Sequence, residues 1–261
     1  MPPKQEDPQK PLEDEDLGLY LDLFSAKTPI EGQDGGVVSA LLVKGLREGL
    51  FDAAVVVKRG EGYTAQAVVA ENAEEVLAAK GTTYLRVDVT SKLRELVSQG
   101  KNRVAIVCTP CEAGVARKIQ QTKVNCEVTV IGLFCYGCFN HDKLKGELKA
   151  RLGIDLDKVD KTQVRQGKFI AQSESKEVSC KVKDLHGASE AACSFCDDFT
   201  SRLADVSVGS VGSKLGYSTV IVRSKLGMRL VEGLEADVAP ADKEAIVKIS
   251  KLKRQRAKNN A

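Results

Sequence analysis

The sequence reads Arg103-Val-Ala-Ile-Val-Cys108-Thr-Pro-Cys111 in one segment and Val128-Thr-Val-Ile-Gly-Leu-Phe-Cys135 in another. Each segment contains a short apolar, β-branched run, which predicts a buried strand that ends at a cysteine. Pro110 suits the first turn of a helix, so Cys111 is expected at the start of the helix after the first strand. In α/β sheets, ligands gather beyond the carboxyl ends of the strands. The two strand ends therefore predict a cysteine-containing site at one edge of a sheet.

Strand and helix patterns alternate along the rest of the chain. Apolar residues at helical spacing predict helices at residues 38–46, 73–80, 91–99 and 141–152. Short β-branched or alternating runs predict further strands at residues 53–57, 63–70, 161–170, 178–182, 206–208 and 219–222. The predicted fold class is mixed α/β (α+β), with one half rich in β-α alternation and a more irregular half that carries cysteines.

Composition excludes several classes of protein. The chain has 261 residues, of which 43% are hydrophobic, and its formal net charge is +3. The apolar fraction is ordinary for a globular protein and too high for a disordered one, and the charge is too small to indicate a nucleic-acid partner. No apolar run approaches the ~18 residues that a membrane span requires, and the polar start lacks the apolar core of a signal peptide. We therefore expect a soluble cytoplasmic protein.

The two ends of the chain differ from its middle. Four of the seven prolines lie within the first eleven residues, and residues 13–16 are all acidic, so residues 1–16 are predicted to be a solvated tail. Residues 17–24 predict an edge strand or a docking segment. Residues 243–252 have helical spacing and run into a basic stretch, which predicts either a fraying surface helix or a contact for an acidic partner subunit. The predicted divisions are a tail and docking segment at 1–32, one domain at 33–235 and a basic helix or tail at 236–261.

Eight cysteines are the unusual feature of the composition, and six of them form C-x-x-C pairs at residues 108 and 111, 135 and 138, and 193 and 196. A chain without a secretory signal is expected to stay reduced, so such pairs indicate metal or redox chemistry rather than structural disulfides. Four thiolates at one point make a zinc site or an iron–sulfur cluster, and Cys108-Thr-Pro-Cys111 also fits a thioredoxin-type dithiol. Cys126 and Cys180 are predicted to be buried apolar residues.

Two glycine-rich stretches have the composition of ligand-binding loops. Asp34-Gly-Gly-Val-Val-Ser39 opens a predicted helix, where free N–H groups could hold a phosphate. Residues 207–219 are rich in glycine, serine and threonine and resemble a loop that brings the backbone close to a ligand. Neither a G-x-x-x-x-G-K-[ST] loop nor a G-x-G-x-x-G after a strand is present in the sequence, so a standard nucleotide-binding fold is not predicted.

Six segments point to one family by their order and spacing. They are Asp34-Gly-Gly-Val-Val-Ser-Ala-Leu-Leu, Lys80-Gly-Thr-Thr-Tyr84, Thr109-Pro-Cys111, Ile131-Gly-Leu-Phe-Cys135, Cys193-Ser-Phe-Cys196-Asp-Asp-Phe199 and Ala204-Asp-Val-Ser-Val-Gly-Ser-Val-Gly212-Ser. Together they resemble the beta subunit of the coenzyme F420-reducing hydrogenase of methanogenic archaea. The resemblance extends from about Gln33 to Glu232, and the stretch from Ala204 to Thr219 is its most specific part.

The resemblance implies a single compact flavin-binding domain with an irregular iron–sulfur-binding region. Members of the family hold one FAD and one 4Fe–4S cluster, and they pass electrons between the cluster and the deazaflavin coenzyme F420. The cluster cysteines of the family correspond to Cys111, Cys135, Cys193 and Cys196. Cys108 and Cys138 are extra thiols here, and either could replace the other cysteine of its pair as a ligand.

The matched segments also imply where FAD is held. A flavin exchanges hydrides with a deazaflavin and single electrons with a cluster, so it is expected between the two. Hydride transfer needs no protein acid or base, so no catalytic side chain is predicted, and basic residues are expected to meet the acidic tail of coenzyme F420. The residues expected to contact FAD are Gly35, Gly36, Ser39, Gly81, Thr83, Tyr84, Gly209, Val211, Gly212, Ser213, Gly216, Ser218 and Thr219.

The implied function is F420 reduction by hydride transfer from FADH2, in the beta subunit of an F420-reducing hydrogenase. Its partners would be other subunits of the complex that carry iron–sulfur clusters. One alternative is the equivalent subunit of a formate dehydrogenase. A second, of a different class, is a zinc-stabilised or dithiol binding protein without a flavin. The chain lacks the ferredoxin-like cysteine runs of longer relatives, which favours the hydrogenase type.

Overall fold

The computed structural model describes residues 10–122, 126–174 and 176–260. Strands, α-helices and four short 3-10 helices alternate through these ranges. In chain order the strands and α-helices are β1 (Leu12–Asp14), β2 (Gly18–Tyr20), β3 (Asp22–Lys27), α1 (Val37–Arg47), β4 (Ala53–Arg59), β5 (Ala65–Ala70), α2 (Ala73–Ala78), α3 (Val89–Ser98), β6 (Arg103–Cys108), α4 (Pro110–Thr122), β7 (Glu127–Leu133), α5 (His141–Leu152), β8 (Lys161–Arg165), β9 (Lys168–Ser173), β10 (Lys176–Lys181), β11 (Val206–Gly209), β12 (Ser218–Val222), α6 (Lys225–Val231), β13 (Asp237–Ala239) and α7 (Lys243–Asn260).

Eight strands form the main sheet, in the order β13-β3-β12-β11-β7-β6-β4-β5. β4, β6, β7 and β11 are parallel neighbours at its centre, and the other pairs are antiparallel. The central strands are apolar because both faces of the sheet are covered, and Val104, Val130 and Val206 are fully buried. The parallel course places Cys108, Cys135 and the residues after β11 at the same edge of the sheet, as predicted.

Helices cover both faces of this sheet. α1, α2 and α6 pack on one face through residues such as Leu41, Val76 and Leu230. α3 and α4 pack on the other face through residues such as Leu93 and Ala116. Each buried Leu or Val side chain stabilises the fold by roughly 1.5–3 kcal/mol, and these contacts hold the edge at which the cysteines lie. Within the described ranges, no helix is long and apolar enough to cross a membrane.

A second, smaller sheet lies between β7 and β11 in the chain. β8, β9 and β10 form it in antiparallel order, and α5 packs against it. Phe139 and Phe169 meet at right angles in its core, with ring centroids 5.7 Å apart. The chain therefore leaves the main sheet after β7, builds this unit and returns at β11.

The structure confirms the mixed α/β class and most of the predicted elements. The prediction of one strand at residues 161–170 is wrong, because Gln166 and Gly167 have φ angles of 49° and 74° and form the turn of the β8–β9 hairpin. The predicted helix at 73–80 is shorter, since α2 ends at Ala78. α6 was not predicted because it has only 7 residues, too few for a clear apolar repeat.

The two tails pack against each other. β1 and β2 form a hairpin, and the acids at its turn face α7: Asp14 pairs with Lys243 at 2.8 Å, and Asp16 with Arg254. The solvated tail predicted for residues 1–16 is therefore wrong for residues 10–16, and residues 1–9 lie outside the described ranges. The acids that meet the basic helix belong to this same chain. The divisions at residues 33 and 236 stay predictions.

Candidate functional site

A cavity of about 390 Å³ lies between the β11–β12 connection and the hairpin of β8 and β9. Small-molecule sites typically have volumes of roughly 300–1,000 Å³. Four distant parts of the chain meet here, namely residues 33–34, Tyr84, residues 163–166 and several residues of 210–217. Among the residues predicted to hold FAD, Tyr84, Val211 and Ser213 line the cavity.

Tyr84 fixes the inner wall of the cavity. Its hydroxyl oxygen accepts hydrogen bonds from the backbone N–H of Val164 at 2.9 Å and from Nε2 of Gln33 at 3.5 Å. Gln33 also donates to the carbonyl oxygen of Thr162 at 3.0 Å. Burial raises the pKa of Tyr84 to about 12, so the phenol stays protonated at neutral pH. The side chain therefore joins the β3–α1 connection, through Gln33, to strand β8 of the small sheet at the cavity.

Asp34 is a partly buried carboxylate in the wall of the same cavity. Burial raises its pKa, and the positive charges of Arg165 and Lys161 partly oppose that change. Arg165 and Lys214 also line the cavity and add positive charge to its wall. Asp34 belongs to a sequence motif described above, but neither it nor Arg165 or Lys214 was predicted to bind a ligand. Only the fold shows that these residues face one space.

Gly35 and Gly36 form a tight turn beside the cavity. A Cβ atom on Gly35 would overlap the carbonyl oxygen of Ala26, and one on Gly36 would overlap that of Ile30. The N–H of Gly35 donates to Oγ of Ser218 at 3.1 Å. Gly35 is therefore needed for packing against β3 and β12, and Gly36 for packing against the loop that follows β3. The turn leads directly into α1, at whose start no described side chain forms a capping hydrogen bond.

Two glycines that were predicted to approach FAD lie close to other parts of the protein. A Cβ on Gly209 would overlap the ring of Phe134. A Cβ on Gly212 would lie 2.6 Å from Cγ1 of Ile246 and 2.9 Å from the carbonyl oxygen of Asp242, both at the start of α7. The sequence pattern marked both positions correctly as sites of close approach. It could not show that the approaching group is another part of the chain.

The remaining predicted FAD residues have different surroundings. Thr219 is buried in β12 and donates from Oγ1 to the carbonyl oxygen of Val211 at 2.8 Å. Thr83 and Ser39 are partly buried, and both are close in sequence to residues that line the cavity. Gly81 and Gly216 have positive φ angles, and no atom of the described residues would lie within 4 Å of a Cβ on either. The assignment of all these residues to FAD stays a prediction.

Three cysteines meet where β7 faces the loop at residues 193–196. Sγ of Cys135 lies 3.9 Å from Sγ of Cys138, and the backbone N–H of Cys138 donates to Sγ of Cys193 at 3.4 Å. Hydrogen bonding from Cys138 lowers the pKa of Cys193 to about 6 and also lowers the pKa of Cys135. Hydrogen bonds of the Cys138 thiol to Cys135 and Cys193, together with burial, raise the pKa of Cys138. This arrangement makes the thiols of Cys135 and Cys193 easier to deprotonate than ordinary cysteine thiols.

The other two predicted ligands lie beside this group of three. Cys111 is exposed at the start of α4, as predicted, and its Sγ accepts a hydrogen bond from Arg86 at 3.1 Å. Sγ of Cys196 lies 3.8 Å from the carbonyl oxygen of Asp198 and donates to it. Within the ranges that the structure describes, no three or more His, Cys, Asp or Glu side chains have the arrangement of a metal-ion site.

The other cysteines have the surroundings of core or surface residues. Cys108 is buried in the core under α3 and α4, and burial raises the pKa of its thiol. Cys126 is buried, as predicted. Cys180 on β10 is only partly buried, so the prediction of a buried residue is wrong there.

One backbone hydrogen bond connects the cavity to the cysteines. The N–H of Phe139 donates to the carbonyl oxygen of Tyr84 at 2.8 Å, and the N–H of Arg86 donates back to the carbonyl oxygen of Phe139 at 3.0 Å. Phe139 directly follows Cys138, and Arg86 bonds to Cys111. A residue of the cavity wall is thus one hydrogen bond and one peptide unit from the group of three thiols.

Two family models match this sequence. Residues 24–94 match the N-terminal part and residues 101–244 the C-terminal part of the coenzyme F420 hydrogenase/dehydrogenase beta subunit. The chain belongs to this family. The resemblance that the six sequence segments indicated is therefore confirmed. The two matched regions include the cavity segments and all three C-x-x-C pairs of this beta-subunit chain.

The relatives of this beta-subunit chain are named after different F420-dependent enzymes. The coenzyme F420 hydrogenase subunit beta of Methanothermobacter thermautotrophicus is 32% identical over 85% of this chain and 84% of its own length. The coenzyme F420-dependent sulfite reductase of Methanocaldococcus jannaschii is 34% identical over 92% of this chain, which spans 40% of that protein. A chain of the F420-reducing [NiFe] hydrogenase complex from Methanosarcina barkeri matches with a TM-score of 0.90 and 30% identity, covering 95% of this chain and 94% of that one.

Proposed function

We propose that this chain passes electrons between a 4Fe–4S cluster and coenzyme F420 through a bound FAD. The observation that carries the proposal is the short connection from Tyr84 to Phe139, which places a cavity of ligand size beside the group of thiols. Both lie at the carboxyl edge of the parallel strands, where ligands bind in α/β sheets. When bound, FAD supplies the exchange between hydride transfer and single-electron transfer that these two partners require.

FAD would occupy the cavity, with Tyr84, Val211 and Ser213 in its wall. The first turn of α1 follows Gly36 without a capping hydrogen bond from a described side chain, so its N–H groups are available for a phosphate. Tyr84 holds the walls of the cavity at a fixed separation through its bond to Val164. The other residues that the sequence predicted at the FAD site would act indirectly, because they set the shape of the loops that contact FAD.

The cluster would be held by Cys111, Cys135, Cys193 and Cys196. The donor set fits this role because thiolates are the usual protein ligands of such clusters, and the thiols of Cys135 and Cys193 are easier to deprotonate than ordinary ones. Cys138 lies between them and is a fifth thiol of the site. The burial of Cys108 in the core under α3 and α4 favours Cys111 over Cys108 as the ligand from this pair.

Coenzyme F420 would enter from the open side of the cavity. Its tail carries phosphate and carboxylate groups, and Arg165 and Lys214 in the cavity wall supply the positive charge to attract them. Neither residue forms an ion pair with a carboxylate in the described parts of the chain. We assign the electron donor to other subunits of an F420-reducing hydrogenase, with the equivalent subunit of a formate dehydrogenase as the alternative.

Anaerobic analysis of iron, sulfide and flavin in the isolated chain tests the proposal. We expect about four iron atoms and one FAD per chain, flavin absorption bands and a broad shoulder that dithionite bleaches. Cys193→Ser should lose iron and keep part of its FAD, whereas the control Cys180→Ser should keep both. A colourless protein with one zinc ion would instead establish the zinc or dithiol alternative.

A second pair of variants tests which four of the five thiols bind the cluster. We expect Cys138→Ser to keep four iron atoms per chain, and Cys111→Ser to hold fewer. The opposite result would show that Cys138 is the ligand and Cys111 is not. Co-purified subunits then separate the hydrogenase from the formate dehydrogenase assignment.

A further inference from the structure

Lys253 of α7 is a buried cation that joins two cysteine-bearing segments. Lys253 is only 1% exposed to solvent. The ammonium Nζ donates to the carbonyl oxygen of Cys135 at 2.6 Å and to that of Asp198 at 2.7 Å. One of these carbonyls belongs to a proposed cluster ligand, and the other lies two residues after Cys196. The sequence predicted a surface stretch of basic side chains here, so the burial of the Lys253 side chain was not expected.

Arg256 lies one helical turn further along α7 and makes a second connection. One terminal nitrogen donates to the carbonyl oxygens of Tyr136 at 2.8 Å and of Cys193 at 2.7 Å. The guanidinium carbon lies 4.4 Å from the centre of the Tyr136 ring. Its Nε is buried and finds no hydrogen-bond acceptor among the described residues. Both cations therefore hold the backbone around Cys135 and Cys193.

Neither cation is neutralised by a carboxylate. In the described part of the chain, the ion pairs of α7 are made by Lys243, Lys251 and Arg254, which face the acidic N-terminal hairpin. A buried charge without a counter-charge costs several kcal/mol, so a negative group beside Lys253 would stabilise it in this position. The proposed cluster with its four thiolates is such a group.

We propose that Lys253, supported by Arg256, supplies the positive charge that raises the reduction potential of the cluster and holds its ligand segments in place. This inference rests on the proposed function. Reduction adds negative charge to the cluster, and a fixed ammonium nearby stabilises the reduced form more than the oxidised one. Net charge and hydrogen bonding around a cluster set its potential. Lys253 thus acts as a positioning and electrostatic residue, not as a ligand.

The test compares Lys253→Met with Lys253→Arg and Lys248→Met in the complete, cofactor-loaded chain. Methionine keeps the length of the side chain and removes its charge, arginine keeps the charge, and Lys248 is an exposed lysine of the same helix. Iron and flavin are counted first, and the cluster is then titrated with electrons and followed by electron paramagnetic resonance. We expect Lys253→Met to disfavour cluster reduction about tenfold, which is about 59 mV for a one-electron couple.

Lys253→Arg should restore most of the parent potential, and Lys248→Met should leave it unchanged. The inference is overturned if Lys253→Met and Lys248→Met have equal potentials and equal iron contents. Loss of iron from Lys253→Met, with iron retained in Lys253→Arg and folding unchanged by circular dichroism, supports it. If Lys253→Met does not fold, Arg256→Gln is titrated in its place, with the same direction expected. A parent chain without iron would refute the proposed function itself, which makes the two failures distinguishable.

Discussion

The hydroxyl oxygen of Tyr84 accepts a hydrogen bond from the backbone N–H of Val164 at 2.9 Å and so joins the α2–α3 connection to strand β8. The backbone of the same tyrosine bonds to Phe139, next to Cys138. One residue therefore contacts the cavity, the small sheet and the cysteine region. A change in the position of Tyr84 should affect all three.

Tyr84→Phe should weaken the binding of flavin. The substitution leaves the N–H of Val164 without its acceptor, and an unpaired buried group costs about 1–3 kcal/mol. We expect an increase of about tenfold in the flavin dissociation constant, measured by fluorescence titration of the flavin-free chain. Tyr136→Phe is the matched control, since no described residue hydrogen-bonds to the half-exposed hydroxyl of Tyr136. Equal affinities for the two variants would contradict the role given to Tyr84.

Asp34→Asn should stabilise the protein at neutral pH. Burial raises the pKa of Asp34 above its ordinary value of 3.8, so the folded chain binds this proton more tightly than the unfolded chain. The stabilising contribution is present below pH 3.8 and is lost as the pH rises through the higher pKa of the folded state. The melting temperature of the variant should therefore exceed that of the parent at pH 7, and the difference should shrink towards pH 4. Glu31→Gln, at an exposed neighbouring position, is the matched control.

Asp16→Asn should loosen the contact between α7 and the N-terminal hairpin. The Asp16 side chain is 8% exposed and pairs with Arg254 and, at 3.8 Å, with Lys251. Loss of its charge should lower the free energy of unfolding by about 1–2 kcal/mol, as for other charged hydrogen bonds that are partly buried. Urea unfolding measures this difference. Glu15→Gln is the control: Glu15 also pairs with Arg254, but its side chain is 86% exposed, and we expect a change below about 0.5 kcal/mol.

Much of the fold could be predicted because its elements carry local patterns. β6 and β7 are largely apolar runs, and the cysteines at or just after their ends lie at one edge of the sheet, as expected. The small sheet was harder to predict because β8 and β9 read as one strand until the Gln166-Gly167 turn separates them. The N-terminal hairpin was not predicted. Its acidic residues by themselves indicate a solvated tail, and only the fold shows that they pair with the basic helix α7.

The site could be predicted in its residue types but not in its contacts. The C-x-x-C pairs marked the cysteine region, yet nothing local to Lys253 distinguishes it from the exposed lysines of the same helix. Its direction follows from the register at which α7 packs, with Ile246 and Ala257 on the buried side. Likewise, a glycine shows that a neighbour is close without showing which neighbour it is. That difference can be tested at Gly212.

Gly212→Ala should destabilise the packing of α7 before it affects flavin. Gly212 and Gly216 have φ angles of 90° and 80°, so alanine at either position carries backbone strain of about 1 kcal/mol. Only at Gly212 would the new methyl group also overlap Ile246 and the carbonyl oxygen of Asp242, which adds about 1–3 kcal/mol. We expect Gly212→Ala to unfold at lower urea than Gly216→Ala and to hold less iron, because α7 carries Lys253. If Gly212→Ala instead loses flavin while its unfolding matches that of Gly216→Ala, this glycine approaches the flavin rather than α7.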